Sequence, residues 1–233
     1  MKNRETRDEG MRDGSRFVVL EGGDGVGKST QIALLSGWLG AVGLPHLTTR
    51  EPGGTPVGEA IREIVLGRSD LDIGPETELF LILAARAAFV RDVVRPALAE
   101  GKTVVADRFS LSTLAYQGYG RELDLDHVRE ADDLARGGLR PDLCLVLDLP
   151  AEESRERQRR GVDEADRIER EGRDFRERVR RGYLELADTE PDVELVNARG
   201  TPEEVHERIR DRLLARFPGV FRGGGATDAQ QVG

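Results

Sequence analysis

Residues 22–30 read Gly22-Gly23-Asp24-Gly25-Val26-Gly27-Lys28-Ser29-Thr30, which satisfies G-x-x-x-x-G-K-[ST]. The run Phe17-Val18-Val19-Leu20 before it has the apolar, β-rich character of a buried strand, and Ser29 onward has helical apolar spacing. A strand, a glycine-rich turn and a helix in that order specify a phosphate-binding loop at the first crossover of an α/β sheet. Glycines let several backbone N–H groups point into one concavity, and the positive end of the following helix adds to the attraction for phosphate oxygens. Lys28 is then placed to reach the β- and γ-phosphates of a nucleoside triphosphate, and the Ser29 hydroxyl to ligate Mg²⁺.

The strand candidates are residues 16–21, 45–49, 102–106, 142–148 and 192–196. They read as continuous rather than strictly alternating segments, the pattern expected of strands covered on both faces. Helices are predicted at about 28–41, 56–66, 75–99, 124–137, 151–160, 172–188 and 201–216. The expected fold is α/β, a doubly wound five-stranded parallel sheet with helices on both faces, and right-handed crossovers put ligands at the carboxyl ends of its strands. At 233 residues the chain suits one domain. That domain is expected over 16–217. Residues 1–15 and 218–233 are expected to be disordered tails, because they carry too little apolar area to offset ordering entropy.

A formal charge of −9 leaves a surface that repels nucleic acid and offers no balance for membrane binding. The polar N-terminus lacks the apolar core of a signal peptide, and no run is long enough to span a bilayer, so the expected location is cytoplasmic. The single cysteine, Cys144, sits in an apolar run and reads as a small buried hydrophobe.

Two more constellations fall at strand ends. The strand 102–106 leads into Asp107-Arg108; the aspartate can hold Mg²⁺ or its waters opposite the phosphate loop, and the arginine can grip a phosphoryl group through its fork. After strand 45–49 comes Thr49-Arg50-Glu51-Pro52-Gly53-Gly54-Thr55, a stiff turn that carries a second cation, Arg50.

Together with Ser112-x-x-Ala115-Tyr116-Gln117 and Asp166-Arg167-Ile168-Glu169, these motifs make the chain resemble the bacterial thymidylate kinases over nearly all of residues 16–217. The resemblance implies a nucleoside monophosphate kinase fold, ATP-dependent conversion of dTMP to dTDP for dTTP synthesis, Mg²⁺ as cofactor, and a homodimer. It also implies residue roles. Asp24 recognises the deoxyribose 3′-hydroxyl, Arg50 and Arg108 hold the acceptor phosphate, Arg86 with Ser112 and Gln117 reads the thymine edge, and Tyr116 crowds the 2′ position. Where the family usually has a phenylalanine stacked on the base, this chain has Ile82; Phe89, on roughly the same helical face, is the other candidate for covering the base.

Residues 155–181 hold eleven arginines interleaved with carboxylates, within and beyond a lid expected at about 151–171. Most read as a solvated helix face. Similarity to the family implies that one of them serves the transferring phosphoryl group, since position 25 is glycine and the loop has no arginine of its own. Arg160 matches that lid position, with Arg159 and Arg157 as alternatives. Two other readings share the phosphate loop: another nucleoside monophosphate or deoxynucleoside kinase, separable by ranking acceptors, and a non-enzymatic nucleotide sensor. The guanine-reading N-K-x-D motif of many nucleotide switches is absent from the chain.

Overall fold

In a computed structural model, which describes residues 14–68, 70–160, 166–168 and 170–221, five parallel strands form one sheet in the order β2-β3-β1-β4-β5. They are β1 (Phe17–Glu21), β2 (His46–Arg50), β3 (Thr103–Asp107), β4 (Leu143–Asp148) and β5 (Val193–Asn197). Each lies within one residue of its expected position. Central β1 shows why these runs became strands: Phe17 and Val19 enter one core with Phe89, Val104 and Ala106, whereas Val18 and Leu20 enter another with Leu35, Val105 and Leu145. A strand buried on both faces satisfies its backbone through β3 and β4 and its apolar side chains through both layers.

One layer holds α1 (Lys28–Ala41). The other holds α2 (Pro56–Arg62), α3 (Pro75–Phe89), α4 (Arg95–Ala99), α5 (Ser110–Thr113), α6 (Leu125–Arg136), α7 (Ala151–Arg160) and α8 (Arg173–Thr189), before α9 (Pro202–Arg216) and α10 (Pro218–Phe221) return to α1. Thr55 caps α2, its Oγ1 accepting from Gly58 N at 2.9 Å, and Thr201 with Glu204 forms a capping box on α9; both helices begin with proline at the position where no amide is needed.

The expected helix over 75–99 is one path with a π-helical turn at Val90–Val94, where Pro96 lacks the amide that would continue the α ladder. A longer π-helical stretch, Leu114–Gly120, was not foreseen; it continues α5 and packs against α8. Gly120 and Gly182 make that approach possible, since a Cβ on either would lie within 2.7 Å of Phe175 or Tyr119 ring carbons.

The tail expectation needs correction at its inner ends. Residues 218–221 form a helical turn because Phe221 stacks on Trp38, with ring centroids 5.9 Å apart, and is buried against α1 and α9; Ser15 is buried too. The expectations for residues 1–13 and 222–233 lie outside the described residues. Cys144 is buried in the sheet, and burial holds its thiol pKa well above the ordinary value, as befits a packing residue. No helix among the described residues is long and apolar enough to cross a membrane.

Candidate active site

Parallel registers bring the motif-bearing strand ends to one edge: Leu20 pairs with Asp107, Arg50 with Asp107, and Glu21 with Val146. There the chain leaves β1 into the phosphate loop. Gly22 turns with φ of 128°, and a Cβ on it would meet Leu147 O at 2.5 Å, so glycine is required twice over. A cleft of about 770 Å³ opens at this edge, walled by Asp24–Gln31 on one side and by Ile82, Arg86, Phe109, Ser112, Tyr116 and Gln117 on the other.

Lys28 lies back over its own loop, donating from Nζ to Gly22 O at 3.1 Å and Gly23 O at 2.8 Å. Burial lowers its pKa, and Arg108 nearby lowers it further, although Asp107 and Asp24 oppose them. A buried ammonium solvated by two carbonyls gains from an anion that replaces them. Ser29 Oγ lies 3.5 Å from Asp107 Oδ2, and Asp107 Oδ1 is buried with no hydrogen-bond partner among the described residues.

Arg108 is the hub. Its backbone φ of 71° is left-handed, uncommon for a residue other than glycine. Nη1 donates to Gly22 O at 3.0 Å, Ser112 Oγ at 3.1 Å and Tyr183 Oη at 3.2 Å, while Nη2 donates to Tyr116 Oη at 3.1 Å and pairs with Asp24. Its guanidinium stacks 4.9 Å from the Tyr116 ring centroid, and Tyr116 Oη donates to Asp24 Oδ2 at 2.8 Å. Burial pushes the Asp24 carboxyl up, but Arg108, Lys28 and the Tyr116 hydrogen bond outweigh it and leave the pKa below the ordinary value. The motif residues Asp24, Arg108, Ser112 and Tyr116 are therefore one connected group.

Glu21 supports the hub directly, and two further buried acid clusters, around Arg86 and Glu78, lie along the same cleft. Glu21 accepts from Phe109 N at 2.8 Å, Ser112 Oγ at 2.5 Å and Tyr183 Oη at 3.1 Å; burial raises its pKa despite those bonds. Arg86, 1% exposed, donates to Glu51 Oε2 at 2.7 and 2.9 Å, to Asp132 Oδ1 at 2.5 Å and to Thr113 Oγ1 at 2.8 Å. Glu78 accepts from Gln117, Arg121 and Arg167. Tyr183, from α8, also went unnoticed in the sequence. The acids had one available signal: Glu78 shares the buried helical face of Ile82 and Phe89, where an unpaired charge cannot remain.

A model of the thymidylate kinase family matches residues 20–209. The chain belongs to the thymidylate kinase family. It is 52% identical to the thymidylate kinase of Desulforudis audaxviator over 176 residues, covering 75% of this chain and 79% of that one. With the enzyme of Synechococcus sp. strain JA-3-3Ab it shares 48% identity over 207 residues, covering 87% and 98% of the two chains. With that of Symbiobacterium thermophilum it shares 45% over 212 residues, covering 91% and 98%.

Among the other expected family positions, Ile82 lines the cleft and Phe89 does not. Seven residues carry Phe89 roughly 10 Å along α3, past the cleft and into the core beside Phe109. Arg50 reaches the cleft half-exposed, paired with Glu59 at 3.1 Å. Beside it stands Arg62, which sequence reasoning passed over; it lines the same cleft and donates to Pro52 O at 3.1 Å. On the lid side, Arg157 lines the cleft and donates to Ala198 O at 3.0 Å, and Ser154 donates to the Asp24 carbonyl. The Arg159 and Arg160 side chains and residues 161–165 lie outside the described residues.

Proposed function

We infer that this chain transfers the γ-phosphoryl group of ATP to dTMP, giving ADP and dTDP for dTTP synthesis, in the cytoplasm and as a homodimer. The observation that carries the reading is one continuous cleft in which the phosphate loop and the wall formed by Ile82, Arg86, Ser112 and Gln117 meet at Arg108. Exposed Phe80 and Leu134, on packed helices α3 and α6, supply apolar surface for a second copy.

In the reaction an oxygen of the dTMP phosphate attacks the γ-phosphorus, and the bond to the bridging oxygen of ADP breaks. Both partners are anionic, so the barrier falls when cations stand between them. The loop amides of Gly22–Thr30 hold the donor phosphates, and Lys28 exchanges its carbonyl partners for phosphate oxygens. Arg50 and Arg108 hold the acceptor phosphate. Asp24, held ionised beside Arg108, accepts from the 3′-hydroxyl, and the Tyr116 ring, packed on Arg108, excludes a 2′-hydroxyl. Ile82 covers the base while Arg86, Ser112 and Gln117 meet its edge.

Mg²⁺ fits the residues present. Ser29 Oγ and the unpartnered Asp107 Oδ1 are hard oxygen donors, and the described residues contain no cluster of three or more acidic, histidine or cysteine ligands. That suits an ion that keeps several waters and takes its remaining ligands from phosphates. When bound it neutralises charge on the donor phosphates. One arginine of the lid completes the neutralisation: Arg160, Arg159 or Arg157.

A thymidine and an adenosine joined 5′ to 5′ through five phosphates tests the reading by calorimetry. It should bind one per chain, in competition with both ATP and dTMP, and Lys28→Met should abolish that binding. Binding that competes with ATP alone would refute a shared cleft.

A further inference from the structure

Gln117 and Glu78 form a pair whose chemistry has only one arrangement. Glu78, from α3, is fully buried, and Gln117, from the π-helical stretch, is almost so while lining the cleft. Glu78 Oε1 accepts from Gln117 Nε2 at 2.8 Å and from Arg121 Nε at 3.1 Å; Oε2 accepts from Arg121 Nη2 at 3.0 Å and from Arg167. Two guanidiniums hold this carboxylate ionised, so it has no hydrogen to give. Of its three partners only Gln117 could face it either way, since an amide offers a donor at one end and an acceptor at the other. A carbonyl turned to Glu78 would set two acceptors together in a buried site, a costly arrangement. The amide nitrogen therefore points to Glu78, and the carbonyl oxygen is the group Gln117 has left for the cleft.

We propose that Glu78 is a specificity-determining positioning residue: by fixing the Gln117 amide it presents a hydrogen-bond acceptor to the pyrimidine and selects bases that carry a hydrogen on N3. The inference rests on the dTMP reading. Thymine and uracil offer N3–H to that oxygen. Cytosine offers a lone pair at N3 and is repelled. A site built to pair a specific hydrogen rejects the analogue lacking it far more strongly than a site built on shape alone.

The test measures kcat/KM for dTMP, dUMP and dCMP in the wild type, Glu78→Gln and Arg121→Gln. Glutamine at 78 can donate, so the Gln117 amide is free to turn. The dTMP-to-dCMP preference should fall about tenfold or more, while the dTMP-to-dUMP ratio stays within about twofold because both bases carry N3–H. Arg121→Gln loosens the same cluster without changing what faces the amide, and should leave both ratios within about twofold. If Glu78→Gln does not fold, Glu78→Asp keeps the charge but withdraws the oxygen by one methylene, and the same fall in the dCMP ratio is expected. A Glu78 variant that keeps the wild-type preference, or an Arg121→Gln that loses it equally, overturns the proposal. The wild-type ranking tests the substrate reading separately: a wild type without preference for dTMP over dCMP sinks that reading and takes Glu78's role with it.

Discussion

Arg86→Met keeps the aliphatic stem of the side chain and deletes the guanidinium from among Glu51, Asp132 and Thr113. Arg86 and Glu51 are each 1% exposed and Asp132 5%, so the variant leaves Glu51 buried without its cation and Asp132 with only Arg136, 3.3 Å away. Removing one partner of a buried ion pair costs about 3–5 kcal/mol. At about 2–4 °C per kcal/mol for a chain of this size, Tm should fall by roughly 6–20 °C. The loss should also depend on pH. Burial pushes the Glu51 pKa up to about 7, against Arg86, which lowers it; Asp132 adds to the rise. Between the ordinary 4.5 and 7 the folded state thus binds a proton that the unfolded state has released, and this group's contribution makes stability fall as pH rises. Without Arg86 the folded pKa moves higher still, and the fall extends to higher pH. Urea unfolding of ligand-free wild type and variant, at about pH 8 and pH 5.5, should show the larger deficit at pH 8 and a smaller one at pH 5.5, where the carboxyls take up protons. A deficit below about 1 kcal/mol at pH 8, or an equal deficit at both, would refute the ion-cluster argument.

Other outcomes follow from the same geometry. Alanine at Arg160, Arg159 and Arg157 in turn should lower kcat about 100-fold or more at one position, with little change in the KM for dTMP, because a charge engaged on lid closure acts mainly in the transition state; kcat within about twofold at all three would remove the lid from catalysis. Phe221→Ala should cost about 3–5 kcal/mol by denaturant titration, given the burial of its ring on Trp38; a loss below about 1 kcal/mol would show that α10 contributes no core.

The central strands β1, β3 and β4 were legible because continuous apolar runs of β-rich residues have few alternatives to a doubly covered parallel sheet; all five strands lie within one residue of expectation, although β2 and β5 at the sheet edges are only partly buried. The phosphate loop, Asp107-Arg108 and Arg50 were legible as well, since each sits just beyond such a run. The stretch 110–120 was not. Its serines, glycines and tyrosines have poor helix propensity, its helical apolar spacing at Leu111, Leu114 and Ala115 is a single turn long, and it becomes helical because α8 packs on it and because Ser112 and Tyr116 find partners 71–92 residues distant along the chain. Glu21, Glu51 and Asp132 were silent for a related reason, and Glu78 signalled only through its place on a buried helical face. A carboxylate is an ordinary surface residue in sequence, and only the topology delivers the arginine, serine or amide that lets it be buried. The choice between Ile82 and Phe89 stayed open in the sequence because periodicity fixes a face of a helix without fixing how far along it the cleft extends.

The central claim, transfer from ATP to dTMP in the Arg108 cleft, is met most directly by a turnover measurement. Purified full-length protein with ATP and Mg²⁺ is offered dTMP, dUMP, dCMP, dGMP, dAMP and thymidine, and product nucleotides are resolved by chromatography. The account predicts ADP and dTDP in equal amounts, with dTMP the acceptor of highest kcat/KM. Faster phosphorylation of thymidine or of a purine nucleotide, or ADP formation that no acceptor stimulates, would contradict it.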